Sequence, residues 1–349
     1  MKRLLLYLLA VLLSLLFPDP EKPQAPATLP ILDHGLTVHF LDVGQADCAL
    51  LECNGEFMIV DGGNVEDGRM VVSYLKQMGV QTLTSVVCSH AHEDHVGGLP
   101  AVLAVFDAER VYAPVTEYSS DIFENFVRYT EKQGLSLTVP EPGDQFMLGS
   151  AIVTVLGPTR DYEDPNNTSI ILKVTYGESD FLFTGDMETL AEHDMLDYWG
   201  DRIDWDIEVL KVGHHCSDTS SGYRFVYETR PEYGVISVGW DNPYGHPHAE
   251  PMSRLKDAGL LLFRTDKLGH VVAGTDGSEI TFTWESPYAA PEDAIPADPA
   301  MAILYGNKKT AVFHAYSCTS LPAQHNRVEF ADYDEAIAAG YKPCGGCMG

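Results

Sequence analysis

Positive charge is scarce in this chain of 349 residues: 22 lysines and arginines stand against 51 aspartates and glutamates, a formal net charge of −29 at pH 7. Such a surface repels phosphate backbones at long range. It excludes the broad electrostatic footprint of many nucleic-acid-binding proteins. Any nucleic acid would have to be gripped locally, by metal ions or a small basic patch; otherwise the acidity serves solubility. Long apolar runs are also few. The prominent one, Leu4 to Phe17, carries no charge, but its fourteen residues fall short of the roughly 20 needed to span a bilayer as a helix. Cysteine is sparse and uneven. Cys48, Cys53, Cys88 and Cys216 are scattered, as small buried hydrophobes usually are, whereas Cys318, Cys344 and Cys347 crowd together at the C-terminal end. That distribution excludes a disulfide-stapled secreted framework and marks a separate C-terminal module. No internal repeat is evident, and 45% apolar residues are enough for a sizeable core.

Lys2-Arg3 before the Leu4–Phe17 run read as a signal peptide, followed by a tether from Pro18 to Pro30 that holds five prolines. Ala25-Pro26-Ala27 is a candidate cleavage site, and no cysteine follows the run as it would in a lipoprotein. The expectation is an extracytoplasmic protein, secreted or anchored to the cell membrane by this segment. The chain divides into residues 1–30 as signal or anchor plus tether, 31–285 as one large domain, 286–300 as a Pro-, Ala- and acid-rich linker, and 301–349 as a small module.

Between the ends, periodicity alternates between strand and helix. Leu36 to Leu51 and Glu56 to Asp61 read as strands joined across the hairpin signal Asn54-Gly55. Val65 to Met78 reads as a helix, and Thr84 to Cys88 as a brief buried strand. Further strands are expected at Ala151–Leu156, Ser169–Tyr176, Phe181–Thr184, Ile207–Val212 and Gly234–Val238, with helices at Glu188–Tyr198 and Pro251–Asp257. The fold class is α/β, two sheet layers flanked by helices.

The strand at Thr84–Cys88 delivers the chain into His90-x-His92-x-Asp94-His95. Three imidazoles and a carboxylate packed so closely exceed the needs of one cation. Alternate residues point together after a strand and a turn redirects the last two, so His90 and His92 can serve one cation while Asp94 and His95 serve a neighbour. Asp186 ends a strand at Thr184-Gly185, where a carboxylate can bridge two cations about 3.5–4 Å apart or simply cap the next helix. Lys211 and His214-His215 follow another strand, where cationic or donor groups could stabilise developing charge. The tandem pair could equally be one site residue and one core residue.

Together these residues resemble the metallo-β-lactamase superfamily, whose signature is His-x-His-x-Asp-His followed by Gly-Gly, here Gly97-Gly98. In detail they are similar to the hydrolase domain of the DNA-uptake protein ComEC over roughly Thr37 to Thr283. The likeness runs through Phe40-Leu41-Asp42-Val43-Gly44-Gln45, Val60-Asp61-Gly62-Gly63, Asn166-Asn167-Thr168-Ser169-Ile170, Phe183-Thr184-Gly185-Asp186, Leu210-Lys211-Val212-Gly213-His214-His215 and Asn242-Pro243-Tyr244-Gly245-His246-Pro247. The resemblance implies an αββα sandwich with two divalent cations, Zn²⁺ or Mn²⁺. It implies ligands His90, His92, Asp94, His95 and Asp186, with His246 or, in reserve, His248. Asp94, His214 and Lys211 become the candidate catalytic groups, and Asp61, Asn167 and His215 the residues that support the ligands. Two features depart from the wider superfamily: no histidine lies between His95 and Asp186, and Asn166–Ser169 takes its place. Neutral oxygen ligands there would weaken one Zn²⁺ site or favour Mn²⁺.

The tail has its own spacing. His314-x₃-Cys318 and, further along, Cys344-x₂-Cys347 supply four soft ligands in two close pairs, the set for one tetrahedral structural Zn²⁺. Asp332-x-x-Glu335 reads as a capping box and Gly340 as a helix stop. The arrangement resembles the metal-binding domain of the repair protein Ada. Its four basic and four acidic side chains cancel, so the whole −29 belongs to the remainder of the chain. The leading functional reading is an exported metal-dependent phosphodiesterase or nuclease acting on DNA. The alternatives are lactam, lactone or small phosphoester hydrolysis at the same centre, and a non-catalytic exported binding protein.

Overall fold

The computed structural model describes residues 35–286, 304–314, 322, 326–330 and 333–345. The N-terminal apolar run and tether, the stretch 287–303, and Cys318 and Cys347 of the expected zinc set lie outside the described residues. Among the described residues, no helix is long and apolar enough to cross a membrane.

Two sheets face each other. The first has eight strands in the order Ile280–Trp284, Val271–Thr275, Leu36–Phe40, Ala49–Cys53, Glu56–Val60, Ser85–Val87, Val111–Tyr112 and Leu137–Thr138. The second has seven, Leu261–Arg264, Tyr233–Ile236, Val209–Lys211, Ser179–Phe183, Ile171–Tyr176, Ala151–Gly157 and Gln145–Leu148. Alternation decides which face looks inward. Leu36, Val38 and Phe40 join Val153, Val155, Leu172 and Phe183 in the core between the sheets, where the Phe40 and Phe183 rings stack at 5.9 Å. His39, on the other face, meets the Tyr74 hydroxyl at 2.9 Å on the helix Gly68–Gln77. That helix, Leu99–Leu103 and Asp121–Lys132 cover the outside of the first sheet. Thr189–Trp199, Tyr223–Thr229 and Ala249–Asp257 cover the second. The fold is the expected αββα sandwich.

The Asn54-Gly55 turn is a two-residue hairpin with φ of 52° and 81°, the left-handed pair that matches strand twist. The expected continuous strand from Leu36 to Leu51 is two strands instead. The chain leaves the sheet after Phe40 and re-enters at Ala49. Leu41, Val43, Ala46 and Cys48 are buried under the helical layer, so the intervening loop carries the apolar content of a strand. That loop brings Asp42, Gln45 and Asp47 over the end of the sheet.

The C-terminal residues form a separate four-stranded sheet, Arg327–Phe330, Leu304–Asn307, Val312–His314 and Lys342–Pro343, with the helix Tyr333–Ala338 closed by Gly340 at φ 83°. Its small core of Leu304, Phe313, Phe330 and Ala336 takes in Tyr223 of the hydrolase domain. The module is therefore not a free appendage: one aromatic side chain belongs to both bodies. Phe313 pairs with Pro343 in parallel register, and the Cys344 amide, just past that strand, donates to the Phe313 carbonyl at 2.9 Å, next to His314.

Candidate metal centre

The buried strand Ser85–Val87 ends in a loop whose backbone is held by Asp61. Its carboxylate accepts hydrogen bonds from the Ser89 amide and hydroxyl, both at 2.7 Å, and faces His95 Nδ1 at 2.8 Å. Asp61 takes a φ of 59° to do so, a conformation that Asp tolerates better than most residues. Fixing His95 through Nδ1 leaves its Nε2 aimed into the site, the supporting role expected of Asp61. Gly97 and Gly98 have a physical reason to be glycine. A Cβ on Gly97 would lie 2.5 Å from the Val65 amide, and one on Gly98 2.0 Å from the Gly62 carbonyl. The loop after Asp61 crosses against the histidine segment only because both side chains are absent.

Asp186 stands at the centre. Its carboxylate lies 3.8 Å from His90 Nε2, 3.2 Å from His95 Nε2, 3.7 Å from His214 Nε2 and 3.8 Å from His215 Nε2. On one side, His90 Nε2 and His92 Nδ1 converge to 3.0 Å. On the other, the Asp94 carboxylate is 3.9 Å from His95 Nε2 and 3.3 Å from His215 Nε2. Asp94, His95, Asp186 and His215 form one ligand-competent group. His95 Nε2, His215 Nε2 and Asp186 Oδ1 are fully buried without a hydrogen-bond partner. Orphaned polar atoms facing one another in a dry site are costly unless a further group satisfies them, and this donor set fits a divalent cation.

Electrostatics agree. Burial opposes a charge on Asp186, but His95 and His215 outweigh it and hold the carboxylate well below its ordinary range. Burial likewise opposes protonation of His215, yet Asp186 and Asp47 push it up to about 10. His95 is raised in the same way, against burial, by Asp186, Asp61 and Asp94. His90, desolvated and beside His95, is driven well down, toward the neutral imidazole that ligates metals. The carboxylates demand positive charge, and the imidazoles face them.

Several expected residues stand differently. Lys211 does not reach the mouth. Its ammonium is buried behind the cluster, 2.8 Å from Asp47 and 2.9 Å from the Val212 carbonyl, so it neutralises a carboxylate and is closed off from any substrate. His248 turns away: its Nδ1 accepts from the Asp218 amide at 3.0 Å and its Nε2 meets the Tyr244 carbonyl at 3.1 Å. Both ring nitrogens are taken, which leaves none for a cation. His246 is anchored through Nδ1 to Gln45 at 3.1 Å, and its ring lies 5.8 Å from that of His214. His215, expected to support the ligands, is itself in the ligand group, its Nδ1 fixed 2.9 Å from the Ser237 carbonyl. His214 is fixed through Nδ1 to Thr219 at 3.0 Å. Asn167 supplies no ligand: its side chain brackets Glu188, accepting from that amide at 3.1 Å and donating to the carboxylate at 3.3 Å. Asp47 was not anticipated. Its only sign in the sequence is an acid between Ala46 and Cys48, inside a buried stretch.

The loop Ser217–Gly222 that carries Thr219 hangs on Glu192. This carboxylate accepts from the Ser221 amide at 2.5 Å and the Gly222 amide at 2.9 Å, and burial pushes it up to about 7. Its folded-state pKa exceeds the ordinary value of 4.5. The stability it contributes is therefore full below that value and is lost as pH rises through about 7. Denaturant titrations at pH 5 and pH 8 are expected to show this loss in the wild type and a much smaller one in Glu192→Gln. Equal pH dependence in the two proteins would contradict the assignment.

Residues 41–240 match the metallo-beta-lactamase superfamily, and the chain belongs to it. Members of that superfamily are hydrolases, and the acid- and histidine-lined centre is where one would work. Residues 296–348 match the metal binding domain of Ada. Among curated proteins the chain is similar to ComE operon protein 3 of Bacillus subtilis (strain 168), 25% identical over 278 residues, covering 74% of this chain and 35% of that one. It is also similar to competence protein ComA of Neisseria gonorrhoeae, 29% identical over 250 residues, covering 71% and 33%. The chain thus spans about a third of the length of these relatives. Among solved structures, it is similar to the metallo-beta-lactamase fold protein YhfI of Bacillus subtilis, at 12% identity and a TM-score of 0.45, covering 71% of this chain and 100% of that one.

Proposed function

We propose that this chain is an exported hydrolase that cleaves phosphodiester bonds of nucleic acid at a two-cation centre. The observation that carries the reading is the position of Asp186, one carboxylate shared between the His90–His92 pair and the Asp94–His95–His215 group. The names of two relatives, competence protein ComA and Recombination protein 2, support nucleic acid as the substrate class. Divalent cations, when bound, supply Lewis acidity toward phosphoryl oxygens and ionised water at neutral pH. The chain's own groups do the rest. His90 and His92 hold one side, Asp94, His95 and His215 the other, and Asp186 spans them. With Lys211 withdrawn, His214 is the donor left to face developing charge. Its Nε2 looks toward Asp186 and its side chain is 20% exposed. The deciding experiment is a panel run on metal-reconstituted protein: single-stranded DNA, duplex DNA, RNA, a small chromogenic phosphodiester and a β-lactam. Efficient lactam hydrolysis with every phosphodiester untouched would end the reading.

Two further outcomes follow from it. Elemental analysis of anaerobically purified protein is expected to approach three metal ions per chain, two in the centre and one in the tail. The count should fall by one when Cys344 and Cys347 are both changed to serine, and an unchanged count would remove the tail zinc. Second, a chain of net charge −29 grips few phosphates. The slope of log affinity against log salt is expected on the order of −2 to −3, against about −10 for an extensive phosphate-contact surface.

A further inference from the structure

In the loop that leads to His246, two large aromatic side chains are left in water: Trp240 is 78% exposed and Tyr244 65%. The loop that carries them is wound around one side chain. Asn242 donates to the Gly239 carbonyl at 3.0 Å and the His246 carbonyl at 2.6 Å, and accepts from the amides of Tyr244 at 3.2 Å and His246 at 3.0 Å. Gln45 clamps both ends, accepting from the Gly239 amide at 3.1 Å and meeting His246 Nδ1 at 3.1 Å. The Tyr244 backbone is held again by His248. A loop fixed this thoroughly displays its aromatics in place, so little ordering cost remains when they are covered.

The rings also form a series. His215, in the ligand group, lies near-parallel to His246, at 6.2 Å and 23°. His246 lies near-parallel to Tyr244, at 5.6 Å and 22°. This offset column runs from the buried cluster to the exposed face of Tyr244, and a planar group of the substrate would continue it.

We propose that Trp240 and Tyr244 are a stacking platform for unpaired nucleobases next to the scissile phosphate, which makes single-stranded nucleic acid the preferred substrate. The proposal rests on the phosphodiesterase reading and names its substrate. Stacking recognises the face that every base presents and is sequence-tolerant, so it adds affinity that does not draw on the few basic side chains of this acidic chain. Bases inside a duplex are already stacked on one another and cannot reach such a platform.

The test compares full-length metal-loaded wild type with Trp240→Ala, Tyr244→Ala and the conservative Trp240→Phe. The probes are a short single-stranded oligothymidylate, an abasic oligomer of equal length and the matching duplex. For the wild type, KM is expected to be lower for oligothymidylate than for either other probe, and oligothymidylate should quench tryptophan fluorescence. In each alanine variant the abasic-to-thymidylate KM ratio should fall by about 5- to 100-fold. Phe should restore most of it, with metal content unchanged throughout. A merely structural role would lower turnover of both single strands alike and leave the ratio in place, and that result would overturn the platform. Equal use of duplex and single strand by the wild type would also overturn it, while leaving the phosphodiesterase reading standing. If the wild type cleaves no phosphodiester of any kind, the underlying reading has failed and the platform falls with it.

Discussion

Alanine in place of Asp186 is expected to lower turnover of every substrate by more than about 10³-fold and to empty at least one cation position. No other carboxylate in the centre lies within 4 Å of four different imidazole nitrogens. Its removal leaves the two ligand groups without the carboxylate they share. Asp186→Asn keeps the shape and one oxygen, so it should fall between alanine and wild type in metal retention. Steady-state kinetics together with metal analysis read both effects. An alanine variant within tenfold of wild type would show that Asp186 is not the shared ligand; the helix-cap alternative is already met by Glu188, which precedes the helix Thr189–Trp199.

Lys211→Met is expected to cost about 3–5 kcal/mol of folding stability, measured by denaturant unfolding at pH 7. Asp47 and Lys211 are both buried, 5–6% exposed at their side chains, and belong to different layers: the loop before Ala49 in the first sheet and the strand Val209–Lys211 in the second. Burial alone would raise Asp47, but Lys211 and then His215 hold it far below its ordinary range. In the wild type, the stability it contributes is present above the usual carboxylate pKa and fades as pH falls. Without Lys211, His215 and His95 alone oppose burial, so the Asp47 carboxyl should move up from its depressed position and the variant should hold less of that stability at pH 7. Pairing Lys211→Met with Asp47→Asn removes the uncompensated charge and should recover much of the loss. A single variant destabilised by less than about 1 kcal/mol would mean that water reaches Asp47.

Local chemistry was legible in the sequence wherever the ligands are close in the chain. His90, His92, Asp94 and His95 declare themselves by spacing, and the strand that feeds them lies within a residue of its expected limits. What was not legible depends on partners far away in sequence. Lys211 looks like a substrate-binding cation until Asp47, from the opposite end of the hydrolase domain's sequence, is seen to claim it. His248 looks like a ligand until Asp218 and Tyr244 take both its nitrogens. The sequence reading puts His214 at the site and His215 in support, yet His215 joins the ligand group; both adopt left-handed backbone, with φ of 49° and 51°, so neither strand nor helix periodicity predicts where their rings point. Among the elements, Val271–Thr275 went unread because it is buried on both faces and shows no alternation. Val111–Tyr112 and Leu137–Thr138 are two residues each, too short for any period.

The strand Leu36–Phe40 lies between Ala49–Cys53, its neighbour in sequence, and Val271–Thr275, which arrives only as the domain nears its end. While the chain is being made, that far edge stays open. The first sheet can pair its early strands, but the apolar row Leu36, Val38 and Phe40 has no second neighbour until the hairpin ending at Trp284 emerges. A truncated or stalled chain therefore presents an unpaired edge of the kind that recruits other strands. The early histidine loop also waits for Asp186 and His215 from the second layer, so a nascent chain can hold neither a finished sheet nor a finished centre.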